Sequence, residues 1–329
     1  MAEQVRIALP SKGRMEEETL NFLASCGLKV KKPNPRQYSA IIPALPDVLV
    51  LFQRPRDIPV SVLAGDVDLG ICGMDTFAEA DATGEALIIH EALGYGECSL
   101  VLAIPDNWTD MQQVGDLAAK TTPKPLRVAT KYTALVRRFL DERGLHDIRV
   151  VTADGALEAA PSVGYADFIA DITSTGTTLR ENNLRAIEGG TILNSQAIFI
   201  GNRHALQTRP EVLAVTEQML EFIEAYLRAE GQYMIFANMR GVSIEDVADR
   251  LRTQSELGGL QWPTIAPLAR PGWWSINLVV AQNHLYKAVQ QIRSVGGSGV
   301  VMTPVSYIFE ERPERCRQLS EALEGTLED

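Results

Sequence analysis

Between positions 167 and 184 the chain reads Asp-Phe-Ile-Ala-Asp-Ile-Thr-Ser-Thr-Gly-Thr-Thr-Leu-Arg-Glu-Asn-Asn-Leu, a stretch rich in groups that can hold an anion. Thr173, Ser174, Thr175, Thr177 and Thr178 place hydroxyls on both sides of Gly176, just past Asp171. The apolar run over 168–172 predicts a short buried strand. Residues 178–184, with Leu179 and Leu184 as apolar positions, predict a helix. A helix opened by such a turn leaves its first backbone N–H groups without partners. Those donors, the hydroxyls and the positive end of the helix dipole together suit a phosphate. Gly176 lets the backbone come close or take a positive φ. A Ser/Thr-capped helix start that binds nothing shares part of this pattern. The density of hydroxyls around one glycine, directly after an acid at a strand end, favours the phosphate.

Other candidates stand at comparable places. Lys12 and Arg14 flank Gly13 after an apolar strand over 5–9, as an anion contact or as two solvated charges. Arg54 and Asp57 follow a strand over 47–52, and Asp75 follows a strand over 67–73. Glu158 lies in a turn after a strand over 148–152. Ligands of open α/β sheets bind at the carboxyl ends of strands. Arg54, Asp57, Glu158 and Asp171 all fall at such ends, which points to one shared site.

Several chemistries are excluded. His90, His146, His204 and His284 are widely separated, and Cys26, Cys72, Cys98 and Cys316 show no metal-like or redox-like pairing. Neither a Walker loop nor a dinucleotide fingerprint occurs. A net charge of -11 argues against a general nucleic-acid binder, so an anionic substrate must be caught by local groups. A magnesium ion carried in by a polyphosphate would suit an acidic cleft, since Mg²⁺ uses one or two carboxylates plus phosphate oxygens. The amino-terminal residues read as a first strand rather than a signal peptide, and no apolar run reaches bilayer length, so a cytoplasmic protein with reduced thiols and no membrane partner is expected.

The elements that must position these residues alternate between strands and helices. Residues 1–98 read as one α/β lobe and 99–189 as a second, with about 190–208 returning to the first. A long amphipathic helix connects over 209–231, with Val212, Val215, Met219, Phe222 and Ile223 on its apolar face. Over 232–309 the order becomes β-α-β-β-α-β, the ferredoxin-like arrangement. The charged tail over 310–329 reads as a short surface helix with frayed ends.

Glu158-Ala-Ala-Pro161, Gly164-Tyr-Ala-Asp167 and the run from Asp171 to Leu179 together resemble the signature of the ATP phosphoribosyltransferases. Pro10-Ser-Lys-Gly-Arg14, Arg54-Pro-Arg-Asp57-Ile-Pro59 and Asp66-Val-Asp-Leu-Gly70-Ile-Cys-Gly73 support it. Pro263-Thr-Ile-Ala-Pro-Leu268 resembles the regulatory domain of the family's long form. The resemblance implies two periplasmic-binding-protein-like lobes around a cleft, followed by a ferredoxin-like regulatory domain. It implies transfer of phosphoribosyl from phosphoribosyl pyrophosphate to N1 of ATP, the first step of histidine biosynthesis. Ser174, Thr175, Gly176, Thr177 and Thr178 would then hold the 5-phosphate, with Asp171 facing the ribose. Arg54 would neutralise the leaving pyrophosphate, helped by Lys12. Arg14, Asp75 and Glu158 would line the ATP side of the cleft. Mg²⁺ would arrive with the substrate, and no catalytic base is assigned. Histidine would bind near Leu260 and Thr264 as a feedback inhibitor, in a homo-oligomer between dimer and hexamer. The rival readings are a two-lobed binding protein without chemistry and a catalytically silent regulatory homologue.

Overall fold

The computed structural model describes residues 4–34, 37–80, 84–120 and 124–324. The first three residues, residues 35–36 and 81–83 of the first lobe, residues 121–123 of the second and the last five of the charged tail lie outside the described residues.

The chain begins with β1 (Val5–Pro10), α1 (Gly13–Ser25), β2 (Ser39–Ile42), β3 (Leu45–Gln53), α2 (Asp57–Leu63), β4 (Leu69–Gly73), α3 (Met74–Ala80) and β5 (Ala86–His90). It then crosses into β6 (Cys98–Pro105), α4 (Leu117–Lys120), β7 (Arg127–Thr130), α5 (Thr133–Glu142), β8 (Arg149–Thr152), β9 (Phe168–Thr173), α6 (Thr177–Glu181) and β10 (Leu184–Ser195). It returns through β11 (Ala197–Asn202), α7 (Arg203–Thr208) and α8 (Pro210–Ala229).

Two sheets result, ordered β2-β3-β1-β4-β11-β5 and β10-β6-β9-β7-β8. Apart from the β2 hairpin strand, both follow one plan. The first lobe-strand sits between the second and third, and the strand arriving from the other lobe (β11 or β6) is inserted antiparallel before the fourth. This is the two-lobed periplasmic-binding-protein arrangement. β1 and β4 are covered on both sides, with Val5, Ile7, Leu9, Leu69 and Ile71 buried on one face and Ala8, Gly70 and Cys72 on the other. Gly70 allows the close approach of α2, since a Cβ there would stand 2.8 Å from Ile58 Cγ2. In the second lobe Leu102, Val128, Phe139 and Phe168 form the centre of the core.

The chain divides into two compact units, Met1–Leu220 with Glu314–Asp329, and Glu221–Pro313. The second holds β12 (Gln232–Arg240), α9 (Ile244–Arg252), β13 (Thr264–Pro267), β14 (Trp273–Ala281), α10 (Leu285–Ser294) and β15 (Gly297–Pro304). Its antiparallel sheet runs β13-β14-β12-β15, the ferredoxin-like order. Ile235, Met239, Val247, Leu251, Ile276, Leu278 and Ile292 close its core. The Ser243 hydroxyl caps α9 by accepting the Asp246 N–H at 3.2 Å.

Three segments differ from the expectations. Residues 190–195 lie in β10, which pairs antiparallel with β6 in the second sheet rather than joining the first lobe. The bulges between Ala186 and Leu193 absorb Gly189 and Gly190, which the sequence marks as a break. α6 spans only Thr177–Glu181, and Asn183, at positive φ, turns the chain into β10. The tail helix α11 (Glu314–Glu324) is docked on its own unit, with Cys316, Leu319 and Leu323 buried. Arg315 pairs through both terminal guanidinium nitrogens with Glu91, and Arg203 and Gln207 of α7 donate to the carbonyls of Ala322 and Leu323 at 3.4 and 3.2 Å.

Candidate active site

The carboxyl ends of strands from both lobes meet in a cleft of about 650 Å³. The first lobe contributes Lys12 and Arg14 beyond β1, Arg54 and Arg56 beyond β3, and Asp75 at the start of α3. The second contributes Lys131 and Tyr132 beyond β7, Asp154 beyond β8 and Thr173–Ser174 at the end of β9. A smaller pocket of about 130 Å³ adjoins it, lined by Glu158, Asp171, Ser174, Thr175, Thr177 and Thr178.

The hydroxyl loop is built around Gly176, at φ 71°. Its N–H donates to Thr173 Oγ1 at 3.0 Å, and the Thr175 and Thr177 hydroxyls share a hydrogen bond of 2.9 Å. Arg180 braces the loop from α6, donating to the Thr175 carbonyl at 3.2 Å and to Thr177 Oγ1 at 3.1 Å. A five-residue helix aligns few peptide dipoles, so the dipole expected of a longer helix contributes little. What the pocket offers a ligand is the set of hydroxyls of Ser174, Thr175, Thr177 and Thr178 along its wall.

Asp171 stands beside this pocket. Its Oδ1 accepts the Ile172 N–H at 2.8 Å and lies 3.4 Å from Lys131 Nζ. Burial pushes its carboxyl above the ordinary aspartate range, against the opposing pull of the Lys131 charge and the backbone N–H. Glu158 pushes it further up.

Asp75 is buried, and both its oxygens are engaged: Ser195 donates to Oδ1 at 2.8 Å and the Tyr132 hydroxyl donates to Oδ2. Burial, and then the charge of Asp75, raise the Tyr132 phenol far above its ordinary value, so it remains a donor. Since Asp75 belongs to the first lobe and Tyr132 to the second, this bond joins the lobes beneath the cleft. Two more contacts lie alongside. Glu79 accepts the N–H groups of Ala134 and Leu135, both at 2.9 Å, filling the open amino end of α5. Arg56 donates to the Lys131 carbonyl at 2.8 Å and stands 3.9 Å from Asp154.

The cations differ in commitment. Arg14 pairs with Glu18 at 2.6 Å. Among the described residues, Lys12 and Arg54 have no side-chain partner, and both are exposed to the cleft. The structure therefore gathers Lys12, Arg14, Arg54, Asp75 and Ser174 on the larger cleft, and Asp171, Glu158 and the hydroxyl residues on the smaller pocket. Leu260 and Thr264 belong to the other unit, both exposed, with Thr264 opening the edge strand β13 opposite Asn277 of β14. Sequence reasoning missed Lys131, Tyr132, Ser195 and the bracing role of Arg180. The first two follow β7 directly, Asp171 lies within the last residues of the neighbouring β9, and the parallel register Thr130↔Ala170 sets Lys131 beside it.

A family model described as ATP phosphoribosyltransferase matches residues 54–225, and one for that family's C-terminal domain matches residues 229–307. The chain belongs to the ATP phosphoribosyltransferase family. It is 48% identical over 330 residues to ATP phosphoribosyltransferase 2, chloroplastic, of Arabidopsis thaliana, covering 96% of this chain and 80% of that protein. It is 34% identical to the ATP phosphoribosyltransferase of Gemmatimonas aurantiaca, covering 93% of this chain and 99% of that one. Among solved structures, the ATP phosphoribosyl transferase (HisG:HisZ) complex from Thermotoga maritima has a chain that aligns at a TM-score of 0.53 with 28% identity, over 67% of this chain and 98% of that one. Among the described residues, no group of three or more His, Cys, Asp or Glu is placed to hold a metal ion, and no helix is long and apolar enough to cross a membrane.

Proposed function

We propose that the chain transfers phosphoribosyl from phosphoribosyl pyrophosphate to N1 of ATP, releasing pyrophosphate, as the first step of histidine biosynthesis. The observation that carries this reading is the pairing of the hydroxyl-lined pocket with the two uncommitted cations, Lys12 and Arg54, on the adjoining cleft. In this reading Ser174, Thr175, Thr177 and Thr178 grip the 5-phosphate, Gly176 shapes the loop, and Asp171 orients the ribose hydroxyls. The pyrophosphate then faces Lys12 and Arg54, while the adenine enters past Arg14; Glu158, expected on the ATP side, lines the 5-phosphate pocket instead. Asp75 supports the ATP side as a tie between the lobes, since its oxygens are already held.

The bond from adenine N1 to the anomeric carbon forms as the bond from that carbon to pyrophosphate breaks, with inversion. The electron pair leaves with pyrophosphate. Charge grows on the leaving group, so preorganised cations and positioning do the catalytic work. Adenine N1 is neutral, and the proton of the cationic adduct is lost readily, so no base is required. Magnesium enters as part of the substrate, bound to its phosphate oxygens. Histidine would act from the second unit near Leu260 and Thr264 as feedback inhibitor, in an assembly of identical copies. Cys26, Cys72 and Cys98 are thiols, as suits a reducing compartment.

Purified chain incubated with ATP, phosphoribosyl pyrophosphate and Mg²⁺ should yield the N1 adduct and pyrophosphate in equal amounts. Binding of both substrates without either product would leave a silent homologue.

A further inference from the structure

Lys131 has no part in the chemistry above, yet it occupies a singular place. It is the first residue after β7, and parallel pairing with β9 sets it beside Asp171. Its side chain is 23% exposed and that of Asp171 15%, and their charged atoms stand 3.4 Å apart. The Tyr132 ring lies 5.1 Å from its ammonium, and Arg56 holds its carbonyl at 2.8 Å. Both the backbone and the charge of Lys131 are therefore fixed before any ligand enters.

We propose that Lys131 is a positioning residue: it keeps Asp171 ionised and aimed at the end of β9, ready to accept hydrogen bonds from the ribose. This rests on the reading of Asp171 as the ribose-facing acid. The charged or titratable groups facing Asp171 are Lys131, Glu158 from the turn beyond β8, and Tyr132. Burial and Glu158 favour the protonated acid, and a protonated acid would meet a ribose hydroxyl with one acceptor fewer. Lys131 is the cation that opposes them. An opposite charge at this distance lowers a carboxyl by about 1–3 pH units. Its loss raises the acid limb of any activity that needs the ionised form.

The test compares the pH dependence of kcat/KM for phosphoribosyl pyrophosphate in wild type, Lys131→Met, Lys131→Arg and Asp171→Asn, with thermal midpoints recorded for each. In Lys131→Met the acid limb should move up by about one pH unit or more, with activity recovering as pH rises. Lys131→Arg should restore the wild-type limb. Adding Lys131→Met to Asp171→Asn should lower kcat/KM less than twofold further. If Asp171→Asn retains wild-type kcat/KM, the reading of Asp171 fails and this role for Lys131 fails with it. If Asp171→Asn is impaired but Lys131→Met lowers kcat/KM equally at every pH, Asp171 keeps its role and Lys131 acts in some other way, which overturns the proposal. Additive losses in the double variant would overturn it too.

Discussion

Thr178→Val probes the phosphate grip with little disturbance to the loop. The Thr178 hydroxyl lines the small pocket and has no hydrogen-bond partner among the described residues, while its carbonyl accepts from the Asn182 side chain at 2.9 Å. Valine keeps the shape and removes only the donor. A hydrogen bond to a charged group is worth about 1.5–3 kcal/mol, which corresponds to a rise of roughly tenfold to a hundredfold in KM for phosphoribosyl pyrophosphate. KM for ATP, measured at saturating phosphoribosyl pyrophosphate, should move by less than about twofold on the same basis. Thr177→Val is the instructive contrast. Its hydroxyl is tied to Thr175 at 2.9 Å and accepts from Arg180 at 3.1 Å, so that substitution also loosens the loop. It should therefore raise the same KM while lowering kcat. Initial rates over a grid of both substrates measure all four constants. Equal rises for both substrates in Thr178→Val, or none, would refute the assignment of the 5-phosphate to this pocket.

Three further outcomes are expected. Arg54→Ala should slow the single-turnover step by roughly a hundredfold while changing substrate affinity little, the mark of a group that acts on charge formed at the transition state. Arg54→Lys should restore only part of that rate, because a point charge lacks the guanidinium fork, and a wild-type rate in Arg54→Ala would remove Arg54 from the mechanism. Burial pushes the Glu91 carboxyl up, but the hydrogen bond and charge of Arg315 outweigh it and leave the group below the ordinary glutamate range. The stabilising contribution is thus fully present above about pH 4.3 and is lost as pH falls through the depressed folded value. Limited proteolysis near Glu314 should accelerate over that acid interval in wild type, while Glu91→Gln should show weaker docking with no such dependence; identical pH profiles would show that the pair does not hold α11. Thr264→Leu should preserve uninhibited activity while weakening histidine inhibition and calorimetric histidine binding together, and undiminished inhibition would refute the effector site at β13.

Much of this was legible in the residues. Alternation of apolar runs with capped, glycine-terminated helices marks the two lobes, because strands covered on both faces must be apolar throughout. The hydroxyl run around Gly176 is local in sequence, so its loop could be read without knowing its neighbours. What could not be read depends on pairing across distance. β10 looks broken at Gly189–Gly190, and only its partner β6 turns the break into a bulge. Lys131 gains its meaning from the register of β7 against β9, which no local pattern encodes. Asp75 was visible at a strand end, but its partners Tyr132 and Ser195 lie 57 and 120 positions away. The docking of α11 had a readable signal that charge concealed. Cys316, Leu319 and Leu323 fall three and four apart on one helical face.

The placement of α11 also bears on how the molecule is made. The first unit is interrupted by Glu221–Pro313 and resumes at Glu314. On the ribosome, the surface formed by β5 and α7 has to wait while that whole segment is translated before the helix that covers it emerges. Domains usually fold in the order in which they appear. Here the first unit stays incomplete until the second has been synthesised. During that interval the apolar seats of Leu319 and Leu323, with Glu91 beside them, are open to a chaperone or to the α11 of a neighbouring chain, so nascent protein should be more prone to exchange this helix than the finished molecule.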